Sequence, residues 1–118
     1  MKRLCVIRDI CRAISEYEQR FMSVHHLSLN EGMVLCSLKE GRLSSGEIAK
    51  QINLTCSNTS KLIRAIEEKG YIERVLGVED KRQMYFSLTK EGDSKLLEIE
   101  RDNIELTGPL TLFANKID

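Results

Sequence analysis

Three helix-start signals crowd the stretch between residues 28 and 55, and they leave room only for short helices with tight connections. Ser28-Leu29-Asn30-Glu31 and Ser44-Ser45-Gly46-Glu47 each have the pattern of a capping box. In that pattern a serine oxygen accepts the third helical N–H, and the glutamate reaches back to the cap's own N–H. Thr55 is placed to cap a third segment. The first box opens a helix through Met33, Val34, Leu35 and Leu38, which Gly41 is expected to stop in a left-handed conformation. The second opens a short helix with Ile48, Ala49 and Ile52 inward, and Asn53-Leu54-Thr55 turns the chain.

The helix from Thr55 to Gly70 has two distinct faces. Thr59, Leu62, Ile63 and Ile66 recur at i, i+3, i+4 and i+7 and form an inner stripe. Ser57, Asn58, Ser60, Lys61 and Arg64 lie outward. No carboxylate occurs from residue 48 to residue 66, whereas a merely solvated face usually mixes acids among the bases. Short polar groups followed by cations suit base edges and phosphates.

After Gly70 the period changes from 3.6 to 2. Tyr71–Leu76 and Met84–Leu88 read as two strands joined by the polar loop 77–83, a β-hairpin with an extended tip carrying Lys81 and Arg82. Thr89 then caps a long acidic helix with Leu96, Leu97, Ile99 and Ile104 inward, expected to end near Gly108-Pro109. The stretch from Leu110 to Ile117 fits either a final helix or a packed arm. Upstream, a helix over 3–23 has one apolar seam, Ile7, Ile10, Ile14, Tyr17 and Phe21, at 3-4-3-4 spacing. That period suits packing on the domain's own core or on a helix of a second subunit. His25 and His26 are expected in the solvated turn that follows.

The expected fold is therefore mainly α with a small β-hairpin, a winged helix-turn-helix domain between N- and C-terminal helices. Residues 1–27 form the first helical part, 28–88 the lobe and 89–118 the last. The helix 55–70 has the diameter to enter the major groove of double-stranded DNA. Ser44 and Ser45, with the first N–H groups of their helix, would face a phosphate. The thin hairpin tip would lie along a minor groove, which attracts arginine.

Charge and cysteines narrow the alternatives. The 18 basic and 18 acidic residues cancel, so binding to nucleic acid must come from geometry and not from bulk charge. Residues 1–25 are net +2 and residues 84–118 net −3. No apolar run is long enough to span a bilayer, and Arg8, Asp9 and Arg12 interrupt any export signal, so a cytoplasmic location without membrane contact is expected. Cys5, Cys11, Cys36 and Cys56 form no C-x-x-C pair, and Cys36 falls at an apolar-periodic position. No metal set, cofactor motif, phosphate loop or nucleophile–base pair marks an enzyme.

At these residues the chain resembles the MarR family of bacterial transcriptional regulators, over roughly 28–95. Leu62–Arg74 is similar to the end of that family's recognition helix and its first wing strand. Asp80-Lys81-Arg82 matches its wing Asp-x-Arg signature, and Leu88-Thr89-Lys90-Glu91-Gly92 its Leu-Thr-x-x-Gly. The resemblance implies a repressor acting as a homodimer on a pseudo-palindromic operator, with Asp80 orienting Arg82. It also implies dimerisation through the terminal helices, here Ile7, Ile10, Ile14, Tyr17, Phe21, Leu110 and Phe113. Fewer residues follow Pro109 than in the family's usual closing helix, which leaves open a weaker dimer, one that leans more on the first helix, or a different arrangement. Family members commonly respond to a small-molecule effector. One branch senses hydroperoxides by a thiol, and Cys11 on the first helix and Cys56 at a helix N-terminus are the candidates here. A protein–protein docking module is the alternative from outside the DNA-binding class.

Overall fold

The computed structural model describes residues 2–116; Met1, Ile117 and Asp118 lie outside them. The elements run α1 (Arg3–His25), α2 (Leu29–Ser37), α3 (Ser45–Ile52), α4 (Cys56–Glu68), β1 (Ile72–Leu76), β2 (Met84–Leu88), α5 (Lys90–Glu100) and a 3₁₀ helix (Gly108–Lys116). They divide into two compact units, one of residues up to Leu29 with those from Asp102 onward, the other Asn30–Arg101. In this division the acidic helix α5 falls in the unit Asn30–Arg101. No helix among the described residues is long and apolar enough to cross a membrane.

In the second unit α3 packs on α4 and on β2, α4 on β1, and α5 on β2. Val34, Leu35, Leu38, Ile48, Ala49, Ile63, Ile66, Ile72, Phe86 and Leu96 form its core. The capping box at Ser44 closes in both directions, with Glu47 N–H to Ser44 Oγ at 3.2 Å and Ser44 N–H to Glu47 Oε1 at 3.0 Å. Thr55 Oγ1 accepts from Asn58 N–H at 3.1 Å, and Thr59 spends its buried hydroxyl on Thr55 O at 2.8 Å. The strands pair antiparallel with Ile72 opposite Leu88 and Leu76 opposite Met84. A further bridge, absent from the sequence reading, joins Leu43 to Phe86 through N–H···O bonds of 3.1 and 2.8 Å.

The Leu-Thr-x-x-Gly segment has a physical explanation. Thr89 Oγ1 accepts from Gly92 N–H at 3.0 Å to cap α5, and its hydroxyl donates to Gly70 O at 2.6 Å. Thr89 N–H meets Tyr71 O at 3.0 Å. Gly92 must be bare, because a Cβ there would stand 1.9 Å from Tyr71 O. The motif therefore fastens the start of α5 to the backbone between α4 and β1.

Several expectations are corrected. Helix α2 ends at Ser37, four residues before Gly41, as Leu38, Lys39 and Gly41 N–H tighten onto carbonyls three residues back. Gly41 still takes a positive φ, +144°. Helix α5 stops at Glu100, well before Gly108, and Leu97 is exposed. Met33 and Cys36 also face outward. The Glu31 carboxylate, buried in α2, receives the Lys69 ammonium at 3.1 and 3.3 Å.

In the first unit, the C-terminal stretch adopts a 3₁₀ helix packed on α1, with Gly108 set against Ala13. His25 does not lie in a solvated turn. It is the last residue of α1, 4% exposed, and its Nε2 meets Asp102 Oδ2 at 2.6 Å. His26 follows in the left-handed conformation that ends the helix. Asp102 Oδ1 accepts from Ile104 N–H at 3.2 Å, so both carboxylate oxygens are used. Tyr17, Phe21 and His25 are spaced four apart and share one face, and the Phe21 ring lies 4.7 Å from the imidazole.

Candidate nucleic-acid interface

Helix α4 owes its two faces to its inner stripe. Thr59, Ile63 and Ile66 are buried and Leu62 half-buried, which fixes the helix's rotation. The same rotation leaves Ser57, Asn58, Ser60, Lys61 and Arg64 exposed. Of the two acids at the far end, Glu68 is exposed one turn beyond Arg64, while Glu67 is tied to Arg74 of β1 by a forked pair of bonds, 2.9 Å to Nε and 3.2 Å to the terminal nitrogen. That pair, which the sequence did not reveal, also couples the end of α4 to the hairpin.

The hairpin tip is braced from within. Arg82 is 92% exposed, yet its Nε donates to Asp80 Oδ1 at 3.1 Å and its terminal nitrogen to Oδ2 at 3.4 Å. Asp80 Oδ1 also accepts the Arg82 backbone N–H at 3.0 Å. The Arg82 guanidinium and N–H hold the Asp80 carboxyl below its ordinary pKa. An exposed arginine normally samples many rotamers; here the aspartate restricts them in advance of any contact. Lys81 is exposed beside it.

Ser44 and Ser45 are less free than the sequence suggested. Ser45 is exposed, but Ser44 has both its N–H and a hydroxyl lone pair committed to the capping box. The Ser44 hydroxyl is shared with the Glu47 carboxylate as well, so little of Ser44 is left for a phosphate. The Glu47 carboxylate sits at the same helix end, with its pKa lowered first by the Ser44 N–H and then by the hydroxyl, and it opposes an anion there.

Of the seam residues, Ile7 and Ile14 are exposed and Ile10 and Tyr17 half-buried. Phe21 is already buried in the single chain at 2% exposure, so it serves the core and is removed from any surface a partner could touch. Leu4, Met22 and Val24 are further exposed apolar residues on α1, as are Leu112 and Phe113 on the 3₁₀ helix, while Leu110 is half-buried. An open cleft of about 650 Å³ lies on the first unit between Arg20, Val24, Asp102 and Ile104. All four cysteines are free; Cys11 and Cys56 are exposed and Cys5 half-buried.

Comparison with known proteins agrees with this architecture. The sequence profile of the MarR family matches residues 27–84. The HTH-type transcriptional repressor YetL of Bacillus subtilis (strain 168) is 36% identical over 93 residues, which are 75% of this chain and 54% of that protein. The uncharacterized HTH-type transcriptional regulator YwoH of the same organism is 33% identical over 94 residues, 79% of this chain and 68% of that one. The chain spans about half the length of several curated relatives that it matches. Among solved structures, the Staphylococcus aureus MepR–DNA complex shares the fold with a TM-score of 0.63 at 23% identity, covering 79% of this chain and 77% of that one. The transcriptional regulator BldR from Sulfolobus solfataricus does so with a TM-score of 0.71 at 24% identity, covering 83% and 76%. With its winged helix-turn-helix lobe and this sequence kinship, the chain belongs to the MarR family of transcriptional regulators.

Proposed function

We propose that this protein is a sequence-specific double-stranded DNA-binding repressor that acts as a homodimer on a pseudo-palindromic operator. The observation that carries the reading is the combination of two exposed surfaces on one lobe. One is the outer face of α4 from Ser57 to Arg64, which carries no acid, and the other is an arginine already oriented by its own aspartate. In this reading Asn58, Lys61 and Arg64 meet base edges and phosphates of a major groove, with Ser57 and Ser60 at shorter range. Arg82 enters the adjacent minor groove and Lys81 meets its backbone. That a solved neighbour of the same fold is a DNA complex supports the assignment. The exposed Ile7, Ile14 and Phe113 support a second copy as the partner of the first unit.

Selection of bound duplexes from a random pool tests the reading directly. Enrichment of an inverted repeat is expected, with an affinity that falls steeply between about 50 and 200 mM salt. Arg82→Ala should weaken binding to all sequences, whereas Asn58→Ala or Lys61→Ala should relax preference at particular base pairs by about 1–3 kcal/mol. No enrichment and no salt-dependent binding would instead favour a protein-docking module.

A further inference from the structure

The wing loop 77–83 stands over a hollow of about 290 Å³ bordered by Arg42, Tyr85, Gln83, Gly77 and Asp80. A loop over empty space keeps its shape only through its own hydrogen bonds and whatever supports it from outside. Besides the Asp80–Arg82 brace, its internal backbone bonds are Gly77 N–H to Gln83 O at 2.9 Å and Gln83 N–H to Asp80 O at 3.0 Å. They draw the backbone so close that a Cβ on Gly77 would lie 2.5 Å from Asp80 O.

The outside support comes from a different part of the lobe. Arg42 lies in the connection between α2 and α3, next to Leu43, whose two backbone bonds to Phe86 dock that connection on β2. The Arg42 guanidinium carbon stands 4.8 Å from the centroid of the Tyr85 ring, within cation–π distance. Tyr85 in turn donates its hydroxyl to Gln83 Oε1. A continuous chain of contacts therefore runs from Arg42 through Tyr85, Gln83 and Asp80 to Arg82.

We propose that Arg42 is a positioning residue for DNA binding: stacked on Tyr85, it holds the wing loop in the shape that presents Arg82. Its action in binding rests on the DNA-reading function proposed above, but its hold on the loop is a property of the free protein. Arg42 does not itself meet the duplex in this scheme. Its whole effect on affinity passes through Arg82.

Two measurements decide it. In the free protein, amide exchange at Gly77 and Gln83 should speed up severalfold in Arg42→Ala and in Tyr85→Leu, be partly restored in Arg42→Lys, and stay unchanged at Ile63 in the core. With operator duplex, Arg42→Ala should weaken binding roughly two- to fivefold, the scale of an exposed cation–π contact. The same substitution made on top of Arg82→Ala should then have no effect. Unchanged exchange at Gly77 and Gln83 would overturn the proposal whether or not the protein binds DNA. An undiminished loss of affinity in the Arg82→Ala background would overturn it too, since Arg42 would then contact the duplex on its own. Failure of the unsubstituted protein to bind any duplex would refute the functional reading alone, and the exchange data would still decide the role of Arg42 in the loop.

Discussion

Gly92→Ala is the most informative single substitution in this fold. By intrinsic propensity it should help, because alanine is favoured over glycine in a helix by up to about 1 kcal/mol. The structure reverses the sign. The new Cβ would stand 1.9 Å from Tyr71 O, more than an ångström inside the 3.0 Å that real Cβ contacts respect, and its obstacle is backbone. Relief requires moving the start of α5 away from Tyr71. That movement strains Thr89 N–H to Tyr71 O and Thr89 Oγ1 to Gly70 O, and with them the helix cap. Overpacking costs about 1–3 kcal/mol and each weakened hydrogen bond about 1. Set against the propensity gain, the net is a destabilisation of about 2–4 kcal/mol, a large share of the roughly 5–15 that holds a domain together. Urea unfolding followed by circular dichroism measures it. Gly46→Ala is the matched control: the nearest atom to its Cβ is Ser44 Oγ at 4.0 Å, so the same change in α3 should be neutral or stabilise by up to about 1 kcal/mol. If the two variants shifted the midpoint in the same direction by similar amounts, the close-approach argument would be refuted.

His25→Ala should destabilise the first unit by about 3 kcal/mol, because it strands the Asp102 carboxylate at 13% side-chain exposure; thermal unfolding checks this. A more modest loss in Asp102→Asn would fit, since the amide still offers an oxygen to Ile104 N–H. Burial pushes the Tyr17 phenol up, and the Asp102 carboxylate adds to the shift. Because the folded value lies above the unfolded one, Tyr17's contribution is fully present below about pH 10 and is lost as pH rises through the folded value. Tyrosinate absorbance should show a late step that Tyr17→Phe removes. At the other end of the scale, Glu47 and Asp80 have lowered pKa values, so their stabilisation is present above the ordinary carboxylate range and is lost as pH falls through the folded values. Melting temperatures between pH 6 and pH 3 should therefore fall less steeply in Glu47→Gln than in the unsubstituted protein.

Local signals made most of the lobe legible. The box at Ser44, the cap at Thr55, the inner stripe of α4 and the change of period after Gly70 depend on residues only a few positions apart, and each element formed where those residues place it. The outer face of α4 followed as the complement of its buried stripe. What local pattern could not supply were partners distant in sequence. Tyr17, Phe21 and His25 do share a spacing of four, but nothing near them announces that Asp102 closes over the imidazole. The bridge from Leu43 to Phe86, the fork of Arg74 on Glu67 and the Arg42 stack on Tyr85 likewise exist only once the chain has returned on itself. The end of α5 was misplaced for the same reason: Leu97 and Ile104 continue a plausible apolar period, yet the Asp102 side chain turns the backbone at Ile104 and pairs with a histidine far upstream. Caps and periodicity are short-range physics that a linear sequence carries in full. Burial of a charge, a close backbone approach such as Gly92 on Tyr71, and the bracing of a loop depend on three-dimensional neighbours, and only the folded chain decides them.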